Sequence, residues 1–267
     1  MCGICGIAGG DPRRHRELVQ RICAAMVHRG PDDEGFVVGD DVALGMRRLS
    51  IIDVDGGHQP MANEDSTVWV VQNGEIYNHL ELRSQLIAAG HVFRTRSDTE
   101  VLVHAYEEWG ETMVERLNGM FAFAVNDRRS RIVFLARDRM GIKPLYHATD
   151  GRTLFFASEL KALLRVPELR REVDRHALDE YLAYEFVPSP RSIVTGISKL
   201  RAGHTLTWSI DDGAERVHRY WSPQLNAGDG RRDLDAEASQ LLDVMRESVR
   251  KELISDVPLG VFLSGGI

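Results

Sequence analysis

The sequence predicts an α+β fold in which mixed or antiparallel sheets are covered by helices. Two observations support this class: strand-like segments outnumber helix-like segments, and helices come between hairpins instead of alternating with single strands. The 267 residues contain no internal repeat or low-complexity tract. A doubly wound parallel sheet would show a regular alternation of strand and helix along the chain.

The first third of the chain predicts one helix, one hairpin and one strand. Apolar residues recur at helical spacing from about residue 13 to residue 28, and Gly30 and Pro31 then end the helix. Apolar runs at 36–38 and 42–46 flank the turn residues 39–41, which predicts a hairpin. The β-rich run 67–71 predicts a strand that ends at residues 72–74.

The middle of the chain continues with two helices and two hairpins. A helix is expected over about 78–89, closed by Gly90, and the run 91–95 resembles a strand. Ser97-Asp98-Thr99-Glu100 has the pattern of a capping box that opens a helix to about residue 109. Two further hairpins are predicted, with strands at 121–125 and 132–136 and at 145–148 and 154–157.

The composition changes near residues 226–233, where a Gly/Arg/Asp-rich stretch is typical of a linker. Apolar residues then recur at helical spacing from Leu234 to Leu253. After Pro258 the apolar run 259–263 predicts a buried strand that feeds Ser264-Gly265-Gly266. A strand followed at once by the last residue has no helix to pack on. We therefore expect the chain to stop at the beginning of a second domain.

Composition and charge exclude several classes of protein. Hydrophobic residues make up 43% of the chain and charged residues 27%, which is ordinary for globular proteins and argues against disorder. The net charge is 33 − 40 = −7, which argues against a nucleic-acid binder. No stretch approaches the ~18 apolar residues of a membrane span. The three cysteines do not suggest a secreted disulfide framework, so a reducing cytoplasm is expected.

Cys2 is the first candidate for catalysis. Removal of Met1 would leave it with a free α-amine, whose reference pKa of about 7.7–8.0 lies just below the thiol value of about 8.5. The amine can then take the thiol proton without a histidine. The alternative is an inert small residue near the start of a strand. Cys2 and Cys5 also form a C-x-x-C pattern, but an extended chain would point the two thiols to opposite faces, and zinc would need more ligands.

Several polar residues have both a structural and a functional interpretation. Asn73-Gly74 is either a common turn or an oxyanion hole made of a side-chain amide and a backbone N–H. Arg48 is either a surface residue or a bidentate partner for a carboxylate. Asp98 either stabilises the first turn of its helix or receives an ammonium group. Polar clusters at 137–141 and 158–161 could be solvated turns or interface networks, and His28, Arg29 and Asp32 could be purely structural.

Taken together, these segments resemble the glutamine-hydrolysing asparagine synthetases over essentially the whole chain. The matching blocks are collinear and sensibly spaced. They are Cys-Gly-Ile at 2–4, His-Arg-Gly-Pro-Asp at 28–32, Arg-Leu-Ser-Ile-Ile-Asp at 48–53, Asn-Gly-Glu-Ile-Tyr-Asn at 73–78, Ser-Asp-Thr-Glu at 97–100, Gly-Met-Phe-Ala-Phe-Ala at 119–124, Arg-Asp-Arg-Met-Gly at 137–141, Pro-Leu-Tyr at 144–146 and Ala-Ser-Glu at 157–159.

The resemblance implies a domain organisation. Residues 2–218 would form an N-terminal-nucleophile glutaminase domain, a four-layer αββα sandwich. A linker would follow at 219–232, and 233–267 would be a helix–strand remnant of an α/β ATP-pyrophosphatase domain, the beginning of the ATP-dependent synthetase. Leu263-Ser264-Gly265-Gly266 resembles the start of the phosphate loop of that domain and lacks the Gly-Lys-Ser/Thr of the Walker type.

The resemblance also implies roles for individual residues. Cys2 would be the nucleophile that forms a γ-glutamyl thioester, with its α-amine as base. Asn73 and Gly74 would form the oxyanion hole. For substrate binding, Arg48 would hold the α-carboxylate of glutamine, Glu75 and Asp98 its α-amino group, and backbone groups around Ile51 and Ile52 would line the pocket.

Cofactors and partners follow from the same resemblance. Glutamine hydrolysis would need neither metal nor cofactor, whereas ATP, Mg²⁺ and aspartate would bind the missing part of the synthetase. A homodimer is suggested, and no nucleic acid or membrane is expected. Two alternatives stay open: an amidotransferase of the same type with another ammonia acceptor, and a fragment that folds or dimerises through exposed apolar faces without turnover.

Overall fold

The computed structural model describes residues 1–225, 233–262 and 265. Its strands are β1 (Gly3–Gly9), β2 (Asp33–Val38), β3 (Val42–Arg48), β4 (Met61–Ala62), β5 (Val68–Ile76), β6 (Gly119–Asp127), β7 (Ile132–Arg137), β8 (Tyr146–Thr149), β9 (Thr153–Ala157), β10 (Ile197–Lys199), β11 (His204–Ser209) and β12 (Glu215–Arg219). Its helices are α1 (Pro12–Ala24), α2 (His79–Ala88), α3 (Asp98–Trp109), α4 (Leu160–Leu163), α5 (Arg175–Tyr184) and α6 (Leu234–Glu252), with a 3-10 helix at Gly110–Glu115.

The strands form two antiparallel six-stranded sheets. The first has the order β10-β8-β9-β1-β3-β2 and the second the order β12-β11-β7-β6-β5-β4. Helices α1 and α4 cover the outer face of the first sheet, and α3 covers the outer face of the second with α2 packed beside it. The predicted α+β class and the four-layer αββα sandwich are therefore confirmed.

Alternation along the strands creates three hydrophobic layers. In β1, Ile4 and Ala8 face the second sheet, whereas Cys5 and Ile7 face α1. In β6, the phenylalanines at 121 and 123 face α3, and the alanines at 122 and 124 lie between the sheets. The small alanines allow the two sheets to pack closely around large side chains such as Phe156.

Most predicted elements are present. The three predicted hairpins are confirmed as β2–β3, β6–β7 and β8–β9, and the two helices of the middle segment as α2 and α3. Helix α1 starts after its cap Asp11, whose carboxylate accepts the Arg13 N–H at 3.1 Å. It ends at Ala24, four residues before the predicted end. Gly30 packs against the backbone of Arg47 so closely that a β-carbon there would overlap it, and the chain reaches this position through turns.

The prediction of a strand at 91–95 is wrong. The carboxylate of Glu100 accepts the backbone N–H groups of Arg94 and Thr95, both at 2.7 Å. These amides would otherwise be available to a neighbouring strand. The Glu100 side chain therefore takes the place of the backbone hydrogen bonds that a strand partner would make. The capping sequence does start α3, since the Ser97 hydroxyl accepts the Thr99 N–H. Glu100, the last residue of that sequence, accepts the amides of the preceding segment instead of capping the helix.

The predicted strand at 67–71 is longer than expected. Strand β5 runs on to Ile76, and within it Asn73 pairs with Ala122 and Gly74 with Phe121 of β6. Asn73-Gly74 is therefore part of a sheet, and its interpretation as a turn is wrong. This leaves the side chain of Asn73 directed by the pleat of a strand.

The C-terminal part differs more from expectation. Helix α6 is confirmed, and its large apolar residues between Leu234 and Val249 are 46–74% exposed. The predicted buried strand is wrong over 259–262. Those residues have no ladder partner in the described part of the chain, and Val261 and Phe262 are exposed. Residues 226–232 of the predicted linker, Leu263, Ser264 and Gly266 lie outside the described residues.

Among the described helices, none is long and apolar enough to cross a membrane.

Candidate active site

A cavity of about 280 Å³ opens where the start of β1 meets the end of β5. The loop after β3, the turn before β8 and the segment after α6 complete its wall. Its lining residues are Met1, Cys2, Leu49, Ile51, Ile52, Asn73, Gly74, Glu75, Ile76, Tyr77, His79, Met120, Lys143, Lys251, Glu252, Ile254 and Leu259.

The thiol of Cys2 lies in this cavity on the side of the loop after β3. Its Sγ accepts the Leu49 N–H at 3.4 Å and donates to the Leu49 carbonyl at 3.7 Å. Burial raises the pKa of the Cys2 thiol and lowers the pKa of the Met1 α-amine. A thiol in this position needs a base to become a nucleophile, and an amine in this position is readily deprotonated.

Two of the polar clusters that the sequence left undecided hold the N-terminal residues in place. Arg29 donates from Nε to the carbonyl of Cys2 at 2.8 Å and from Nη1 to Glu159 at 3.1 Å. The Glu159 carboxylate also contacts Nε2 of His28 at 2.9 Å. This network fixes the backbone of Cys2 from outside the cavity, so these residues position the thiol without lining the site.

Ser158 holds the N-terminal strand at a second position, Ile4, two residues after Cys2. Its hydroxyl accepts the Ile4 N–H at 3.0 Å, and its own N–H donates to the Ile4 carbonyl at 2.9 Å. Cys5 lies on the opposite face of the sheet, where its Sγ is 3.5 Å from Cys23 Sγ. The two thiols of the C-x-x-C pattern therefore point to opposite faces, as predicted, and all three cysteines are free.

Asn73 and Gly74 meet the cavity from strand β5. The Asn73 side chain is fully buried, and neither Nδ2 nor Oδ1 has a hydrogen-bond partner among the described residues. A buried amide without partners is costly unless a ligand satisfies it. At Gly74 a β-carbon would overlap the backbone oxygen of Met120, so only glycine lets β5 and β6 pair at this point. The Asn73 amide thus offers an unused donor to a ligand oxygen, next to Gly74.

Glu75 and Asp98 form an acidic pair, but only Glu75 lines the cavity. Burial, followed by the charge of Asp98, raises the pKa of Glu75 to about 8. Burial also raises the pKa of Asp98, whose Oδ2 accepts the Ile76 N–H at 2.9 Å and the Gln72 side-chain amide at 3.3 Å. Asp98 thus holds the end of β5 through these hydrogen bonds, and Glu75 presents its carboxyl group to the cavity.

Arg48 shapes the loop that carries Ile51 and Ile52 into the cavity wall. Its Nη2 donates to the carbonyls of Ile52 at 3.0 Å and Asp53 at 2.8 Å, and its Nη1 donates to Val54 at 3.0 Å. The guanidinium is buried and is not among the lining groups. Its contact with a ligand carboxylate stays a prediction, whereas the placement of Ile51 and Ile52 along the wall agrees with the sequence analysis.

Lys143 is a cavity residue that the sequence analysis missed. It stands in the turn before β8, which Asp138 organises by accepting the backbone N–H groups of Met140, Ile142 and Lys143, each at 3.0 Å. Burial lowers the pKa of Lys143. The available signal was a single lysine between two of the recognised blocks, Arg-Asp-Arg-Met-Gly and Pro-Leu-Tyr.

The segment after α6 also reaches the cavity. Asp256 donates its N–H to the Ile51 carbonyl at 2.9 Å, and its Oδ2 accepts the Asp53 N–H at 2.7 Å. These two bonds join residues about two hundred positions apart, so a sequence pattern gave no sign of them. They place Ile254 and Leu259 in the wall of the cavity.

The cavity combines a thiol, a buried amide without partners, a carboxyl group and an ammonium group. This set suits acyl transfer from the amide of a small zwitterionic molecule. Of the predicted phosphate-loop start only Gly265 is described, and a β-carbon there would meet no atom within 4 Å. The described residues therefore include the thiol and the groups around it, but not the rest of the predicted phosphate loop.

Sequence comparison gives two domain families. The glutamine amidotransferase domain matches residues 1–221, and the asparagine synthase family matches residues 240–267. The chain is 40% identical to the glutamine-hydrolyzing asparagine synthetase 1 of Bacillus subtilis (strain 168) over 271 residues, covering 100% of the chain and 42% of that protein. It is 36% identical to the putative glutamine-hydrolyzing asparagine synthetase 2 of Methanocaldococcus jannaschii, covering 100% of the chain and 55% of that protein. The chain thus spans about half the length of these relatives.

Two solved structures share the fold. One is the allosteric regulatory enzyme of purine biosynthesis, with a TM-score of 0.64 and 21% identity over 83% of this chain and 50% of that chain. The other is glutamine phosphoribosylpyrophosphate amidotransferase from B. subtilis, with a TM-score of 0.58, 21% identity and the same coverage. At this identity the likeness extends to the fold alone.

Proposed function

Because the chain belongs to the glutamine amidotransferase domain family, we propose that its cavity hydrolyses glutamine to glutamate and ammonia with Cys2 as the nucleophile. One observation carries the proposal. The cavity that holds the Cys2 thiol also holds the buried, unpartnered amide of Asn73. An amide of this kind is a preorganised donor for the oxygen that becomes negative when a thiolate attacks a carbonyl.

Removal of Met1 would turn the Cys2 nitrogen into a primary amine inside the cavity. The amine takes the thiol proton, and the thiolate attacks the carboxamide carbon of glutamine. Asn73 Nδ2 and the Gly74 N–H donate to the resulting oxyanion. The ammonium of Cys2 then protonates the leaving nitrogen, and ammonia departs from a γ-glutamyl thioester. Water, deprotonated by the same amine, hydrolyses the thioester to glutamate and restores the thiol.

The charges of the cavity match the ends of a free amino acid. Glu75 would receive the α-ammonium group, with Asp98 beneath it. The α-carboxylate would meet the cations Lys143 and Arg48. Within the described residues Arg48 keeps Nε and one Nη1 hydrogen free of loop carbonyls. No cofactor or metal is needed for this reaction.

We further propose that the whole protein uses the ammonia to convert aspartate to asparagine with ATP and Mg²⁺. The asparagine synthase match at 240–267 and the names of the relatives support this acceptor over another one in an amidotransferase of the same type. Ser264, Gly265 and Gly266 would then begin the phosphate loop. A cytoplasmic location and a homodimer complete this proposal.

A fragment without turnover is the competing possibility, since the apolar residues of α6 are exposed. Incubation with a glutamine-like diazoketone, followed by intact-mass measurement and peptide mapping, separates the two. We expect loss of Met1, one adduct on Cys2, protection by glutamine and no adduct in Cys2→Ala. Retained Met1 with an unmodified thiol, together with no glutamate release from glutamine, would support the fragment.

A further inference from the structure

A cluster of potential metal ligands lies away from the cavity, where the segment after α2 meets helix α3. It consists of His91 from that segment and of His104 and Glu107, one turn apart on α3. One ligand atom from each residue lies within 4.8 Å of the others. Two imidazoles and a carboxylate form a donor set that zinc and related transition-metal ions prefer.

The side chains are oriented as a metal site requires. Nδ1 of His104 lies 3.5 Å and Nδ1 of His91 lies 4.0 Å from Oε2 of Glu107. The other oxygen of Glu107 accepts the Asn63 amide at 2.8 Å and Arg129 Nη2 at 3.3 Å. Glu107 is thus held by one oxygen and presents the other to both histidines.

Each histidine has a second carboxylate on its far ring nitrogen. Nε2 of His91 is 3.3 Å from Glu108, and Nε2 of His104 is 3.9 Å from Glu100. A carboxylate behind a metal-bound imidazole fixes its tautomer and increases its basicity. For His91 the contact of Nε2 with Glu108 leaves Nδ1 to face a shared ion. For His104 the Glu100 carboxylate lies near Nε2 but beyond hydrogen-bond distance.

The burial of His104 supports a bound ion independently of the distances between the three side chains. It is 1% exposed, the edge of Phe93 packs on it with ring centroids 4.5 Å apart, and neither ring nitrogen makes a hydrogen bond to any described residue. A buried imidazole without a hydrogen bond is costly. A cation bound between the ring and the flanking carboxylates would compensate this cost.

We propose that His91, His104 and Glu107 bind one divalent transition-metal ion, with Zn²⁺ as the preferred ion and water in the fourth position. Zinc bonds of about 2.0–2.1 Å place tetrahedral ligands about 3.4 Å apart. The distance from His104 to Glu107 already matches, and the others close when the partly exposed side chain of His91 rotates inward. The ion would fasten the irregular segment 91–95 to α3. It lies about 9 Å along the helix from Asp98, so its role is structural and independent of glutamine hydrolysis.

The test titrates Zn²⁺ into the chelator-treated 267-residue chain carrying Cys2→Ala, which removes the accessible thiol. Competition with a chromophoric chelator should give one site per chain. The single changes His91→Asn and Glu107→Gln should each weaken binding at least tenfold. His58→Asn, which removes an exposed histidine 2.6 Å from Asp33, should leave it unchanged. X-ray absorption should show nitrogen and oxygen neighbours at about 2.0 Å and no sulfur.

Since His104→Gln could prevent folding, the two partly exposed ligands decide the outcome. Zinc affinity that is equal in H91N, E107Q and the parent would overturn the proposal. So would a sulfur neighbour in the absorption spectrum. Absence of zinc binding by the parent chain would also overturn it.

Discussion

Glu75→Gln tests the electrostatics of the cavity most directly. Burial and the nearby charge of Asp98 raise the pKa of Glu75 from 4.5 to about 8. The folded state therefore keeps the proton over a range in which the unfolded state has lost it. For such an acid the stabilising contribution is fully present below about pH 4.5 and is lost as the pH rises towards 8.

The magnitude follows from the size of the shift. One pKa unit corresponds to about 1.36 kcal/mol, so the contribution of Glu75 falls by about 3 kcal/mol between pH 5 and pH 8. Glutamine at this position has no proton to lose. We expect Glu75→Gln to leave stability nearly unchanged at pH 5 and to raise it by about 3 kcal/mol relative to the parent at pH 8.

Urea unfolding at pH 5, 6.5 and 8 measures this difference, with exposed Glu64→Gln as the matched control. If the stability difference between Glu75→Gln and the parent were flat across this range, the buried carboxyl group would not hold its proton as described. The same group predicts a functional effect, because an ammonium ligand favours the carboxylate. Glutamine kcat/KM should rise up to about tenfold per pH unit towards pH 8 in the parent and much less in Glu75→Gln.

The remaining predictions concern Asn73, Gly74 and the segment after α6. Asn73→Ala should lower kcat for glutamine by about 10²–10³-fold while leaving the melting temperature unchanged or higher, because the amide is buried without a partner; a lower melting temperature with full activity would contradict its role. Gly74→Ala should lower both activity and stability, the latter by about 2–4 kcal/mol in urea unfolding, since a β-carbon collides with β6. Asp256→Ala should raise the KM for glutamine several-fold with little change in kcat or in the main unfolding transition; an unchanged KM would show that its bonds to Ile51 and Asp53 do not matter for the cavity.

The sequence predicted the elements that have local signals. Helix α3 starts where Ser97 caps it, and the hairpins form where turn residues separate apolar runs. The prediction for 91–95 is wrong although Val92, Phe93 and Thr95 are residue types typical of a strand. The bonds from its amides to the Glu100 side chain distinguish it from a strand, and the residue types do not reveal them. Asn73-Gly74 has the sequence of a common turn, and only its pairing with β6 shows that it belongs to a strand.

For the site, the family resemblance identified residues but not how they are held. Cys2, Glu75, Ile51 and Ile52 do line one cavity. By contrast, the turn that presents Lys143 depends on Asp138, and the Asp256 contacts span about two hundred residues. Contacts at such separations depend on the packing of whole layers, which local periodicity does not encode.

The anchoring of the first residues by Arg29 and Ser158 limits how this protein can be produced. Since the backbone of residues 2–4 is bonded to the body of the domain, anything attached in front of Cys2 begins at the wall of the cavity, where Met1 lies. An affinity tag or reporter fused at that end would start beside the Cys2 thiol, and by the proposed mechanism it would block the α-amine, whichever linker were chosen. By the proposed mechanism, the choice of start site and the removal of methionine are therefore as necessary for activity as the folding of the domain.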